Sequence, residues 1–154
     1  KRLKKDKKMI KHTFILKEGL WQTKGVYFDE NGAKFALSGQ TSIKHEPGLW
    51  VELAEMHLRI KGKEPIEIKN EYKITPFEKD GHHTTWIADH PMLGRLTGRM
   101  AINDDALVST FISEDKKFSG SEFFIKFTDS YYLNKGFTFG GQKKLSSWTL
   151  DFRR

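Results

Sequence analysis

Two acid–histidine pairs are the residues of this chain whose types and spacing best suit chemistry. Glu55 and His57 lie two positions apart, and Asp89 directly precedes His90. Side chains two positions apart on a strand share a face, so Glu55 and His57 can work together as an acid and a base. No nucleophile elbow, phosphate-binding glycine loop or metal motif accompanies either pair. An enzyme using Glu55 and His57 is therefore kept as an alternative, and the pattern favours a protein that is not an enzyme.

The chain contains no convincing metal site. It has six histidines and no cysteine, so thiolate ligands and disulfides are excluded. His82 and His83 are adjacent on a predicted strand, so their side chains point to opposite faces. A zinc site needs three or four converging ligands, and no spacing in the chain supplies them. The sequence therefore predicts no metal and no resident cofactor.

Two polar strand faces leave alternatives open. Arg95 and Arg99 share a face with Thr97, and Arg59 shares one with the Glu55–His57 pair. If these faces point inward, they form a cationic lining that suits an anionic ligand such as a carboxylate. If they point outward, they are ordinary solvated faces. The neighbouring positions of both runs are apolar, which favours the outward arrangement.

The basic charge of the chain is concentrated in its leader. Seven of the 27 basic residues, but only one acid, lie in residues 1–11, and the remainder is close to neutral. A nucleic-acid-binding domain should carry its basic residues on a folded face, so no specific nucleic-acid partner is predicted. We expect residues 1–12 to be a disordered tail or an expression remnant, and residues 13–154 to form one domain. The absence of cysteine and of a signal peptide favours a cytoplasmic location.

The body of the chain has the pattern of short strands joined by polar turns. In the run 65–74 charged residues alternate with a face that is apolar except for Asn70, which indicates a strand with one wet face. Turns such as Asp29-Glu30-Asn31-Gly32 recur every 12–15 residues. No apolar run reaches the roughly 18 residues of a membrane-spanning helix. The sequence predicts an all-β chain forming a single antiparallel up-and-down barrel of about eight to ten strands, in preference to a sandwich.

The two ends of the body carry motifs of a known superfamily. Gly19-Leu20-Trp21 resembles the Gly-x-Trp motif that opens the first strand of lipocalins, and the segment 128–131, Thr-Asp-Ser-Tyr, resembles their Thr-Asp-Tyr motif. Arg153 or Arg154 matches the arginine on the final strand of that family, which packs over the tryptophan. The chain therefore resembles the calycin superfamily, which includes lipocalins and fatty-acid-binding proteins. The resemblance implies that Trp21 and one of these arginines join the first strand to the last.

A calycin-like barrel implies a small-molecule binding protein with a hydrophobic or anionic, lipid-like ligand. An isomerase, cyclase or lyase acting in the same cavity, or a filled barrel serving as an interaction module, remains an alternative, and the oligomeric state (monomer or dimer) stays open. Ten strands also suit the haem-binding nitrobindins, and this comparison makes haem an alternative cofactor. The candidate haem ligands are His83, His57 and His90. The predicted cavity residues are Tyr27, Phe35, Leu53, Tyr72, Trp86, Phe111 and Phe124, with Arg95 and Arg99 if their face points inward.

Overall fold

The alternating runs of the sequence form ten antiparallel strands in the structure, a computed structural model that describes residues 9–154. The strands are β1 (Gly19–Phe28), β2 (Lys34–Glu46), β3 (Leu49–Arg59), β4 (Ile66–Ile74), β5 (His83–His90), β6 (Gly94–Asn103), β7 (Ala106–Ser113), β8 (Phe118–Thr128), β9 (Tyr131–Gly140) and β10 (Lys143–Arg153). These residues contain no helix, so none of them forms a helix that could cross a membrane. The all-β prediction is confirmed. Most of the predicted leader, residues 1–8, lies outside the described residues.

Hydrogen bonding between the first and last strands closes the sheet into a barrel. Every strand pairs with its neighbours in the chain, and β1 pairs with β10. Tyr27 lies opposite Trp148 in this closing pair, and Thr23 lies opposite Phe152. The up-and-down barrel is therefore confirmed, and the sandwich is excluded because no strand crosses to a second sheet. Closure leaves no free sheet edge between β1 and β10.

Strict alternation sets which side chains face the interior. On β4, Ile68, Tyr72 and Ile74 point inward, and the charged residues between them point to solvent. Residues paired across neighbouring strands share a face, so the inner face can be followed around the whole barrel from the strand register. Tyr72 pairs with Glu52 of β3 and Ala88 of β5, and both of these are buried.

The segment that precedes β1 closes one end of the barrel. Phe14 is fully buried, and its ring packs edge-on against Trp21 and Phe152. His12 is also buried: its Nε2 lies 2.8 Å from the carbonyl oxygen of Asp104, and its Nδ1 lies 2.9 Å from the Tyr132 hydroxyl. A carbonyl only accepts, so Nε2 carries the proton and the Tyr132 hydroxyl donates to Nδ1. Buried side chains thus begin at His12, one residue before the predicted start of the domain.

A tight turn at Ile15 leads this segment into β1. The N–H of Leu16 donates to the carbonyl of Phe14, and Ile15 between them has a φ of 67°. A β-branched residue is strained in this region, so the surrounding contacts must hold it there. Ile15 is fully buried, and its carbonyl accepts a 2.7 Å hydrogen bond from His45 Nε2 on β2.

The contact expected between Trp21 and an arginine of the last strand is made by Arg154. Its guanidinium lies 5.3 Å from the centre of the Trp21 ring and donates to the carbonyl of Glu18. A Cβ at Gly19 would come within 2.8 Å of Arg154 Nη1, so the glycine of the Gly-x-Trp motif makes room for the guanidinium. Arg153 stacks on Tyr131 instead, at 3.9 Å.

The barrel wall has one short seam. β4 pairs with β5 over only three residue pairs, from Tyr72–Ala88 to Ile74–Trp86. The first half of β4 therefore pairs with β3 but not with β5 in the described structure. Ile66, at the start of β4, is 46% exposed although its position faces inward. This seam lies at the end opposite the segment that carries Phe14, and it offers a route into the interior.

Candidate functional site

Two carboxyl groups face each other across the barrel interior: Glu52 is buried and Glu122 is half-buried. Glu52 belongs to β3 and Glu122 to β8, which are five strands apart in either direction around the barrel. Glu52 pairs with Tyr72, and Glu122 pairs with Gly136, whose strand also carries the buried Asn134. The two opposite walls of the interior thus each contribute a carboxyl group.

Burial makes both carboxyl groups weak acids. It raises the pKa of Glu52 to about 8, and the negative charge of Glu122 adds to this shift. It raises the pKa of Glu122 to about 7, although the adjacent N–H groups of Asn134 and Trp148 oppose the change. Burial and both carboxylates raise the pKa of Tyr72. In the described chain neither glutamate forms an ion pair, so no cation offsets their charge.

Hydrogen bonds fix the wall around Glu122. The Trp148 indole N–H donates to Asn134 Oδ1 at 3.0 Å, and Asn134 Nδ2 donates to Glu122 Oε2 at 3.1 Å. On the neighbouring strand β7, Ser109 lies opposite Glu122, and its hydroxyl accepts a 2.8 Å hydrogen bond from the Trp86 indole N–H. These bonds hold one oxygen of Glu122 and orient two indole rings. The wall is therefore rigid where its polar atoms lie.

Asn70 contributes an acceptor that no donor satisfies. Its Oδ1 is buried and has no hydrogen-bond partner among the described residues. An unsatisfied buried acceptor costs about 1–3 kcal/mol, so such an atom calls for a donor from a ligand or from water. Asn70 precedes Tyr72 on the same face of β4, beside the short seam with β5.

Glycines on the inner face let aromatic rings lie flat along the wall. A Cβ at Gly98 would come within 1.9 Å of the Trp86 ring, and one at Gly136 within 2.3 Å of the Trp148 ring. A Cβ at Gly120 would likewise meet Phe111 at 2.4 Å. Each ring rests on a glycine of a neighbouring strand, so any larger residue there would push the ring towards the barrel axis. The glycines therefore allow these three rings to pack directly against the wall.

Gly136→Ala is expected to lower the free energy of unfolding by about 1–3 kcal/mol, because the methyl group displaces Trp148 and breaks its bond to Asn134. Urea denaturation measures the loss, and a shift of tryptophan emission reports the ring. Gly140→Ala on the same strand is the matched control, since its Cβ would meet only a flexible Leu145 methyl at 3.2 Å. Equal effects of the two substitutions would contradict the packing described here.

Six of the predicted cavity residues point inward. They share one face in the strand register and are buried or packed against the core: Tyr27, Phe35, Tyr72, Trp86, Phe111 and Phe124. Leu53, Arg95 and Arg99 lie on the outer face, which corrects their assignment to the cavity. Leu53 pairs with the exposed Glu71, and Arg95 forms an exposed ion pair with Asp89 at 3.1 Å. The interior lining is accordingly not built from arginines.

The predicted acid–base pair also lies outside. Glu55 and His57 are on the outer face of β3, and His57 is 3.9 Å from the exposed Glu67. They cannot act on a molecule held inside, and this corrects their assignment as candidate catalytic residues of the cavity. Glu52 and Glu122 were not among the residues predicted from the sequence. The sequence feature that could have identified Glu52 is its position in the alternation of β3. It lies on the same face of the strand as the apolar residues Trp50, Ala54 and Met56.

Of the candidate haem ligands, two are turned away from the interior. His57 and His83 are exposed on the outer face. His90 lies at the rim, and its Nδ1 accepts hydrogen bonds from the N–H groups of Met92 and Leu93 at 3.1 Å. No group of three or more metal-ligating side chains occurs in residues 9–154. The geometry thus gives haem no better axial ligand than a rim histidine already engaged by backbone.

Comparisons with known proteins support the barrel fold of this chain and assign it to no family. No family model matches the chain. No curated protein is similar to it in sequence. Among solved structures, the chain resembles the S-type phycobiliprotein lyase CPES from Guillardia theta, with 9% identity, a TM-score of 0.65, and coverage of 88% of this chain and 86% of that one. At this identity the likeness concerns the fold alone.

Proposed function

We propose that the barrel binds a small, mainly apolar molecule whose polar group donates hydrogen bonds or carries positive charge. The observation that carries the proposal is the pair of opposed interior carboxyl groups, Glu52 and Glu122, with no cation paired to them among residues 9–154. The unsatisfied Asn70 oxygen adds a third acceptor on the same inner surface. A ligand with N–H groups or a protonated amine would satisfy all three.

The charge of the interior favours one of the ligand classes left open by the sequence. A cationic lining would have suited a carboxylate ligand, but Arg95 and Arg99, which would have formed it, lie on the outer face. An anion placed between Glu52 and Glu122 would lose its hydration and be repelled by any ionised carboxylate. A protonated amine would gain from the same groups and would lower their pKa values. The hydrophobic part of the predicted ligand is retained, since indole and phenyl rings line the wall.

A second candidate is an enzyme that uses the same two carboxyl groups. Groups with pKa values near neutrality are suited to general acid–base catalysis, because both protonation states are populated at working pH. Glu52 and Glu122, with pKa values of about 8 and about 7, meet this condition. The structural neighbour is a lyase, which agrees with catalysis in a barrel of this shape. In this case one carboxyl would donate a proton and the other accept one.

Two ligands with the same twelve-carbon alkyl chain and head groups of opposite charge test the proposed binding. At pH 7.5 dodecylamine is expected to bind at least about ten times more tightly than dodecanoate, as measured by calorimetry and by quenching of tryptophan emission. The Glu52→Gln/Glu122→Gln variant should lose this preference, whereas the outer-face control Glu55→Gln should keep it. Tighter binding of dodecanoate, or an amine preference that survives in the double variant, would refute the proposal.

A further inference from the structure

The outer face of β7, β8 and β9 carries an apolar surface that is unusual for this barrel. The outward positions of β7 and β8 bear no charge, whereas those of β4 alternate Glu67, Lys69, Glu71 and Lys73. Phe137 is 42% exposed and Ile112 is 45% exposed on this surface. Exposed apolar side chains clustered on one sheet face mark an interaction site more often than scattered ones do.

Two adjoining depressions, which we call the outer groove, run across this surface. One has a volume of about 340 Å³ and the other about 360 Å³, and both are lined by Ser121 and Phe137. The first is the apolar half, where Phe28, Val108 and Phe123 complete the lining. The second is the polar half, which is lined by the hydroxyl-bearing residues Thr97, Thr110 and Ser119 together with Arg99.

The charges that line the outer groove have one sign. Lys135 borders the apolar half and Arg99 the polar half, whereas the Glu122 side chain on the same wall turns into the barrel. Neither Lys135 nor Arg99 forms an ion pair within residues 9–154. A second copy seated here would oppose like charges, and the basic segment 1–11 would be repelled. The groove therefore suits an acidic occupant.

The spacing of the two cations defines the occupant further. Arg99 and Lys135 lie three strands apart, on β6 and β9, which is roughly 14 Å across the sheet. An extended peptide covers that distance in about four residues. Val108 and Phe123 lie on the two strands between them, in register with Lys135, and the row of hydroxyls can bond peptide amides. A lipid head group would instead need cations that converge on one point.

We propose that the outer groove binds an extended acidic segment of a partner protein, with two carboxylates about four residues apart and a bulky apolar side chain between them. The carboxylates pair with Arg99 and Lys135, and the apolar side chain fills the half lined by Val108 and Phe137. The site is separate from the barrel interior, so it does not depend on the ligand proposed above.

A displayed library of random 12-residue peptides, selected on the full chain, tests this interaction. We expect enrichment of sequences with two acids about four positions apart around an aromatic or aliphatic residue. A peptide so selected should bind Arg99→Glu/Lys135→Glu at least about tenfold more weakly, and Lys69→Glu/Lys73→Glu, on the outer face of β4, with unchanged affinity. Phe137→Ser should also weaken binding by about tenfold.

Three results would overturn the proposal. The first is that selection on the wild-type chain enriches no peptide sequences relative to selection on the Arg99→Glu/Lys135→Glu variant. The second is a concentration-dependent dimer that Phe137→Ser abolishes, because the occupant would then be a second copy. The third is that the chain binds anionic phosphatidylserine vesicles but no peptide, and that Arg99→Glu/Lys135→Glu abolishes the vesicle binding. Circular dichroism of each variant shows whether the barrel is intact.

Discussion

Replacing Trp21 by alanine is expected to lower the free energy of unfolding by about 3–5 kcal/mol, among the largest effects of any single substitution in the chain. Trp21 is fully buried and packs against Phe14 and Tyr132 at ring distances of 5.5 and 5.6 Å. Its removal leaves a cavity where the closing segment meets β1. The guanidinium of Arg154 would also lose the ring on which it rests.

Urea denaturation followed by circular dichroism measures this loss. Leu20→Ala is the matched control, since Leu20 is the adjacent residue of β1, points outward and is 49% exposed. The control should change the free energy of unfolding by no more than about 1 kcal/mol. A Trp21→Ala protein as stable as the control would show that the closing contacts do not carry the fold.

The free energy of unfolding is expected to fall as the pH rises from about 5 to about 9. Glu52 and Glu122 have folded-state pKa values of about 8 and about 7, above the ordinary value of 4.5. Across this interval the folded chain holds more protons than the unfolded chain, so raising the pH favours unfolding. The stabilisation present below the ordinary pKa is lost as the pH passes through the folded values. We expect a total loss of about 4–7 kcal/mol.

The Glu52→Gln/Glu122→Gln variant isolates this effect. Glutamine does not titrate, so the variant should gain stability relative to the wild type as the pH rises. His12 acts in the opposite direction, because burial lowers its pKa and stability is lost on acidification below about 6.5. This contribution is common to both proteins and cancels in their difference. Parallel stability curves for the two proteins between pH 5 and pH 9 would contradict the shifted pKa values.

Local pattern accounts for most of the fold but not for the segment that closes it. Period-two alternation and polar turns predicted the strands, since each depends on residues near in sequence. The motifs around Trp21 and Arg154 predicted which strands meet. The packing of Phe14 was missed, because it rests on contacts with Phe124 and Tyr132 and not on any local periodicity. The basic composition of the leader likewise did not predict that its last residue, His12, is buried against the barrel.

The interior site was only partly predictable, because alternation does not say which face is inside. On β3 both phases contain apolar residues, so Leu53 was placed inside and Glu52 was overlooked. The strand register shows which face of β3 is inside, since Glu52 pairs with the inward-facing Tyr72 and Leu53 pairs with the exposed Glu71. The raised pKa of Glu52 depends on burial and on Glu122 across the barrel. Neither cause is visible in the residues next to it.

Native mass spectrometry of protein purified from a cell extract tests the central claim most directly. The wild type and the outer-face control Glu55→Gln should carry one small apolar molecule with an amine or N–H groups. The Glu52→Gln/Glu122→Gln variant, prepared in parallel, should be empty. A wild type that is empty, or that carries a carboxylic acid which the double variant retains, would contradict the account.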